Sequence, residues 1–384
     1  MIVCRVFSSK CFIEGGRILV DRPPFSQLVT SLPSVVPFVP PEEMERRTGI
    51  SLRLRLGANE SPFGMSPQAE EAMKKAVEVS HFYGDALCHD LREALADVHN
   101  ISPDQLVFGS GIDELLGLIA RVFLNPGDAV TTSLGGYPTF EYHVKSVGAQ
   151  LHHVPYQGDF NDLDGLIRTA EETGSRILYL ANPDNPTGTF FSHQELRPFL
   201  DRLPSGCLLL LDEAYLEFAP SASWLPIDAS DPRIIRTRTF SKAHGMAGAR
   251  IGYAIAEEKT VQAFNKIRNH FGINRAAQAG ALASLKDESF LTFVTDEVAK
   301  GRKEYAALAD ELGLRAIPSA TNFVAIDVGS ADRARSIMDA LWKEGVFIRV
   351  PGAPPLNQLI RVGVGTSEER QAFADSLRRV VKNV

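Results

Sequence analysis

The chain has 384 residues, 44% of them hydrophobic and 23% charged, with a formal net charge of −7. That balance supports a large globular core over roughly two or three domains and speaks against a nucleic-acid or anionic-membrane partner. Four scattered cysteines (Cys4, Cys11, Cys88, Cys207) form no paired framework, so a reducing cytoplasm is expected, and no apolar run approaches the ~20 residues of a membrane span.

Residues 1–25 carry Arg5, Lys10 and Arg17 without the apolar stretch of a secretory signal, and read as an extension of uncertain structure, such as an upstream start would leave. Pro23, Pro24, Pro33, Pro37, Pro40 and Pro41 then predict an extended, non-helical arm. From residue 66 helix-like and strand-like segments alternate. Ser66 caps a helix that Pro67 opens, and Leu91 and Leu95 mark one helical face over residues 90–98. Leu106 to Phe108 is a short strand, and a helix is expected from Asp113 to Phe123. Strands follow at 129–132, 177–180 and 207–211, the last two as continuous apolar runs suited to burial on both faces of a parallel sheet. His152 and His153 are adjacent rather than one helical turn apart, so no metal site is expected there. Beyond residue 275, helices at 276–285 and 290–312 precede short strands at 322–327, 346–350 and 359–364. This order predicts an α/β architecture, a mostly parallel sheet flanked by helices, with a smaller α+β unit after it.

Several polar residues fall where such a sheet places its ligands. Lys242 follows Ser241 and stands eight positions before Arg250, among small neighbours Ala243, Gly245, Ala247 and Gly248. Those neighbours leave the amine poorly hydrated and let a bulky group lie against the backbone. Arg250 and Ser241 offer a donor fork and a hydroxyl to a phosphate. A nucleophilic lysine beside a phosphate site points to a Schiff base with a phosphorylated aldehyde, of which pyridoxal phosphate is the chief candidate. Asp212 ends an apolar strand, where a carboxylate is costly unless paired; a protonated pyridine nitrogen would pair it. Tyr215 and Asn185, the latter in a rigid proline turn, are candidate partners for a ring oxygen, and Tyr137 is a stacking platform. The amides of Ile112 and Asp113 open a helix after Gly109-Ser110-Gly111 and form an anion site. Arg361 and Arg349 are cations within apolar strands. Taken singly, each has an ordinary explanation: a turn-capping aspartate, a packed tyrosine, a capped helix, a strand-edge charge.

Taken in order they do not. Asn-Pro-Asp-Asn-Pro-Thr-Gly (182–188), Asp-Glu-Ala-Tyr (212–215), the Ser-Lys segment (241–253) and Arg-Val-Gly-Val-Gly (361–365) together resemble fold-type I pyridoxal phosphate aminotransferases. With Leu-Gly-Ala-Asn-Glu-Ser-Pro-Phe-Gly (56–64) and Tyr-Gly-Asp (83–85), the chain looks most like the histidinol-phosphate aminotransferase family, over residues 26–384. The resemblance implies a Schiff base and proton transfer at Lys242, Asp212 on the pyridine nitrogen, Asn185 and Tyr215 on the ring oxygen, and Tyr137 on the ring face. It implies phosphate contacts from Ile112, Asp113, Ser241 and Arg250, and substrate contacts from Arg361, Arg349 and Asn59. It implies a homodimer in which Tyr83 reaches the neighbouring cofactor. The implied division is an arm at 26–65 joining the small domain, a cofactor-binding domain at 66–275 and a small domain at 276–384. The implied partners are small molecules, an amino donor and a 2-oxo acid such as 2-oxoglutarate. The donor stays open among histidinol phosphate, aromatic and other amino acids, and the alternative is a same-fold enzyme of another reaction class, such as a threonine-phosphate decarboxylase.

Overall fold

The computed structural model describes residues 13–14, 17–18, 23–33 and 39–384, in two units, Met1–Val35 and Val36–Val384. Most of the 1–25 extension lies outside the described residues. In the first unit β1 (Ile13–Glu14) pairs antiparallel with β2 (Arg17–Ile18), and Ser26 caps the short helix α1 (Gln27–Ser31) by accepting from the Val29 amide at 3.2 Å.

The second unit opens with a helix where the prolines predicted none. Helix α2 (Pro41–Thr48) starts on Pro41, runs Glu42 and Glu43 in its first turn and Arg46 and Arg47 in its last, and ends on left-handed Gly49. A proline that would break a helix interior is well placed at its first position, and the charges complement the helix dipole. Together with α1, this corrects the expectation of a wholly extended arm.

Strand β3 (Leu54–Arg55) leads to α3 (Pro67–Val77), which Ser66 caps as expected, and then to α4 (His89–His99). The central sheet begins with β4 (Leu106–Gly109), followed by α5 (Ile112–Phe123), β5 (Ala129–Ser133), α6 (Pro138–Ser146), β6 (Gln150–Val154), α7 (Leu163–Thr173), β7 (Ile177–Ala181), α8 (His193–Asp201), β8 (Leu208–Asp212), β9 (Ile234–Thr239) and β10 (Gly252–Ile255). Its seven strands run in the order β4-β10-β9-β8-β7-β5-β6, with β10 antiparallel to both neighbours and the rest parallel. Leu208 to Leu211 are buried on both faces, each worth about 1.5–3 kcal/mol on removal from water. The register sets Ala181 beside Asp212 and Asp212 beside Thr237, so β7 and β8 end level and β9 runs two residues further, to Thr239. The site is built on that edge.

After α9 (Glu258–Asn265), α10 (Arg275–Lys286) and the long α11 (Glu288–Glu311), a second antiparallel sheet forms from β11 (Arg315–Ala316), β12 (Phe323–Asp327) and β14 (Leu359–Gly363). Helices α11, α12 (Ala331–Lys343) and α13 (Ser367–Val381) cover it through a core that includes Tyr305, Ile337, Ile360 and Phe373. The strand expected over 346–350 is shorter. β13 (Val346–Phe347) pairs in parallel with β3, and Arg349 instead makes an isolated bridge to Arg361. Pro351 just beyond carries no amide hydrogen, which ends any ladder there.

Candidate active site

Lys242 is presented by a turn at the end of β9. Ser241 N donates to Thr239 Oγ1 at 3.0 Å, Gly245 N to the Lys242 carbonyl at 3.0 Å, and Met246 N to the Phe240 carbonyl at 2.9 Å. With Phe240 and Met246 packed in the core, the lysine side chain points the other way. Its Nζ donates to the Asn59 carbonyl oxygen at 3.1 Å and lies 5.6 Å from the centre of the Tyr215 ring.

Asp212 accepts from Tyr179 Oη at 2.8 Å and from the Ala214 amide at 3.0 Å. Burial pushes its carboxyl up to about 6, against the hydrogen bonds that favour the anion. It is a buried acid with room for a cationic partner.

At the opposite end, α5 begins on Gly111, whose backbone (φ 81°, ψ 172°) is a conformation that essentially only glycine holds. The amides of Ile112 and Asp113 open this 12-residue helix at its positive end. Arg250, itself left-handed at φ 60°, donates to the Ala247 carbonyl at 2.9 Å and the Ser110 carbonyl at 3.3 Å. A Cβ on Gly111 would sit 2.2 Å from Arg250 Nη2, so the glycine is what admits the guanidinium. Tyr137 donates to Asp113 Oδ1 at 2.9 Å, which fixes its ring between the two ends of the site.

These groups line a cavity of about 330 Å³ that includes Ile112, Tyr137, Asp212, Ser241, Lys242 and Arg250. A second cavity of about 530 Å³ adjoins it, sharing Tyr137, Asn185, Tyr215 and Lys242 and adding Asn59, Arg349 and Arg361. Arg361 Nη1 donates to Asn185 Oδ1 at 2.5 Å and Nη2 to the Gly57 carbonyl at 3.3 Å, while its buried Nε has no partner among the described residues. Arg349 lies over the Phe347 ring and donates to the Val39 carbonyl at 3.2 Å. Neither guanidinium meets a carboxylate among the described residues, and burial lowers the pKa of both. Such a pair is left seeking an anion. Asn59, at φ 54°, donates through Nδ2 to Tyr215 Oη at 2.9 Å.

Every singled-out residue except Tyr83 therefore borders one of two joined cavities. Tyr83 is 78% exposed, packed on Phe271 with ring centres 4.8 Å apart. Two contributors were not foreseen. Tyr179 sits inside an apolar strand, and nothing but the β7–β8 register reveals that its hydroxyl meets Asp212. Asp184 is fully buried, accepting from Tyr156 Oη, Asn161 Nδ2, Thr187 N and Thr187 Oγ1, and so locks the turn that carries Asn185. Its signal was visible: an aspartate followed three positions later by threonine in a proline turn makes a local side-chain-to-backbone bond.

Residues 53–377 match the family model described as Aminotransferase class I and II. The chain is 32% identical over 362 residues to a histidinol-phosphate aminotransferase of Geobacillus sp. (strain WCH70), covering 93% of this chain and 98% of that protein. It is 34% identical over 349 residues to one of Bacillus velezensis, covering 90% and 96%. Among solved structures, histidinol-phosphate aminotransferase from Sinorhizobium meliloti in complex with pyridoxal-5'-phosphate superposes with a TM-score of 0.91 at 45% identity, over 94% of this chain and 98% of that one. An aspartate aminotransferase of Thermus thermophilus shares the fold alone, at 21% identity and a TM-score of 0.79. The sheet that carries Lys242 and Asp212 is that of fold type I, and the chain belongs to the class I and II aminotransferase family.

Proposed function

We propose that this chain is a pyridoxal 5'-phosphate-dependent aminotransferase whose amino donor carries an anionic group, with histidinol phosphate as the first candidate. The observation that carries this is a pair of adjoining cavities, one lined by an amine and a buried acid, the other by that amine and two arginines that meet no carboxylate among the described residues. The residues fit the cofactor by the chemistry of their donors. Asp212 would pair with the ring nitrogen, Asn185 and Tyr215 with the ring oxygen, and Tyr137 would cover the ring. The Ile112 and Asp113 amides, the Ser241 hydroxyl and Arg250 would hold the phosphate, in a cradle that a Cβ at position 111 would fill.

When bound, the cofactor supplies a protonated ring that draws electrons from the donor's α-carbon. Lys242 Nζ, steadied by the Asn59 carbonyl, holds the cofactor and moves the proton at that carbon. Asp212 keeps the ring nitrogen protonated because a buried carboxylate without its cation is costly. Arg361, aligned by Asn185, and Arg349 orient the donor's anion. A same-fold decarboxylase is not favoured, since the relatives in hand are named aminotransferases.

The other expectations belong to this reading. Residues 66–275 would be the cofactor-binding domain and 276–384 the small one; the pairing of β3 with β13 supports joining the arm to the latter. Tyr83 and Phe271, both exposed and in ring contact, offer apolar surface suited to a second copy of the chain, and Phe82 and Leu87 are exposed within four residues of Tyr83. Cys88 and Cys207 are buried free thiols, as a reducing cytoplasm would keep them, and no helix among the described residues is long and apolar enough to cross a membrane. A donor panel compared by kcat/KM, with 2-oxoglutarate as acceptor, tests the function. Histidinol phosphate should lead. Loss of turnover with every donor, or borohydride labelling of a lysine other than Lys242, would overturn the assignment.

A further inference from the structure

Asn322 borders neither of the two joined cavities. It stands immediately before β12, 2% exposed, its carbonyl tied to the Val364 amide at 2.8 Å. Its Nδ2 donates to the carbonyl oxygens of Asn59 at 3.1 Å and Glu60 at 3.3 Å. Two facing acceptors can be answered only by the amide nitrogen, so the orientation of the side chain follows from its surroundings.

The Asn59 carbonyl is the same oxygen that Lys242 Nζ meets at 3.1 Å, and Asn59 Nδ2 is the donor to Tyr215 Oη. Asn59 also lies in the left-handed region, which asparagine tolerates better than other residues with a Cβ but which still carries a cost that neighbouring contacts offset. Upstream, the backbone is held by strand-like bonds, Leu56 N to the Phe347 carbonyl and Gly363 N to the Leu56 carbonyl. At residues 59 and 60 a side-chain amide takes over from those bonds.

We propose that Asn322 is a positioning residue for the reaction: its amide clamps the Asn59 carbonyl against the Lys242 amine and, through the Asn59 side chain, sets the Tyr215 hydroxyl. This rests on the reading that Lys242 carries the cofactor. It assigns to the small antiparallel sheet a hold on the lysine through the Asn59 carbonyl, in addition to the arginine it contributes.

The test uses holoenzyme reconstituted with pyridoxal 5'-phosphate. Asn322→Leu removes both donors at nearly constant shape and adds no charge, Asn322→Ala removes the side chain, and Val324→Ala, in the adjoining strand β12, serves as a packing control. A carbonyl fixed beside the lysine nitrogen favours that nitrogen's protonated form, so loosening it lowers the pH midpoint of the cofactor's visible band. Both Asn322 variants should lower it by about 0.5 unit or more and weaken cofactor binding about tenfold. Val324→Ala should lower the melting temperature and leave both readouts unchanged. Wild-type midpoint and affinity in Asn322→Leu and Asn322→Ala would overturn the proposal. If those two fold poorly, Asn322→Ser is judged by the same two readouts. Failure of the wild-type protein to form a borohydride-reducible link at Lys242 is a different result, and overturns the underlying reading instead.

Discussion

Asp212 shows how one buried carboxyl ties cofactor and stability together. Its pKa is pushed up to about 6 in the folded chain, above the 3.8 of an ordinary aspartate. A raised acid contributes its stability at low pH, where both states hold the proton, and that contribution is lost as pH rises to the folded value. Between the two values the cofactor-free protein therefore loses stability, by up to roughly 3 kcal/mol for about two pKa units. A pyridinium partner removes the cost. Apo Asp212→Asn should therefore match apo wild type in melting temperature at about pH 4 and exceed it at about pH 7, while holo wild type exceeds the holo variant. Thermal melts across that range check it. A gap between the apo proteins that does not change with pH would mean the carboxyl is not buried as described.

At the scale of elements, the phosphate cradle depends on α5 starting where it does. Gly111→Ala forces a side chain into a glycine-only conformation at about 1–3 kcal/mol and sets a methyl 2.2 Å from Arg250 Nη2. The obstacle is the tip of a half-exposed arginine, so it yields, and cofactor affinity should fall at least about tenfold in a protein that still folds. Titration of the apo variant with pyridoxal 5'-phosphate reads this directly, and unchanged affinity would remove Arg250 from the phosphate site. Gly245→Ala differs in kind, because its Cβ would meet the Gly64 carbonyl oxygen at 1.7 Å, and backbone cannot step aside. How far such elements can be read beforehand depends on what buries them. β7 and β8 announce themselves as apolar runs. β9 does not, since Arg236 and Arg238 interrupt it; both are buried because Glu213 meets them at 3.0 and 2.8 Å. The lysine turn and the Asn-Pro-Asp-Asn-Pro turn were legible because small and rigid residues have local reasons to be there. The hold of Asn322 on Asn59 was not, because it joins positions 263 residues apart.

For the whole molecule, the decisive residue is the one that the single chain leaves outside its own site. Tyr83 is held outward by Arg275 Nη2, which donates to its carbonyl at 2.6 Å, and its ring lies on exposed Phe271. A monomer would spend that apolar surface on water. A twofold interface places the same patch on both subunits, so each Tyr83 would serve the partner's phosphate cradle. Lys242→Ala alone should be inactive and Tyr83→Ala strongly impaired. Mixed in equal amounts and refolded together, the two variants give half their dimers as hybrids. Each hybrid has one site with both residues intact, so activity should recover to about one quarter of wild type. Recovery no greater than the sum of the parent variants would place Tyr83 and Lys242 in the same subunit's site. Sedimentation of the wild-type chain as a monomer would remove the shared site altogether.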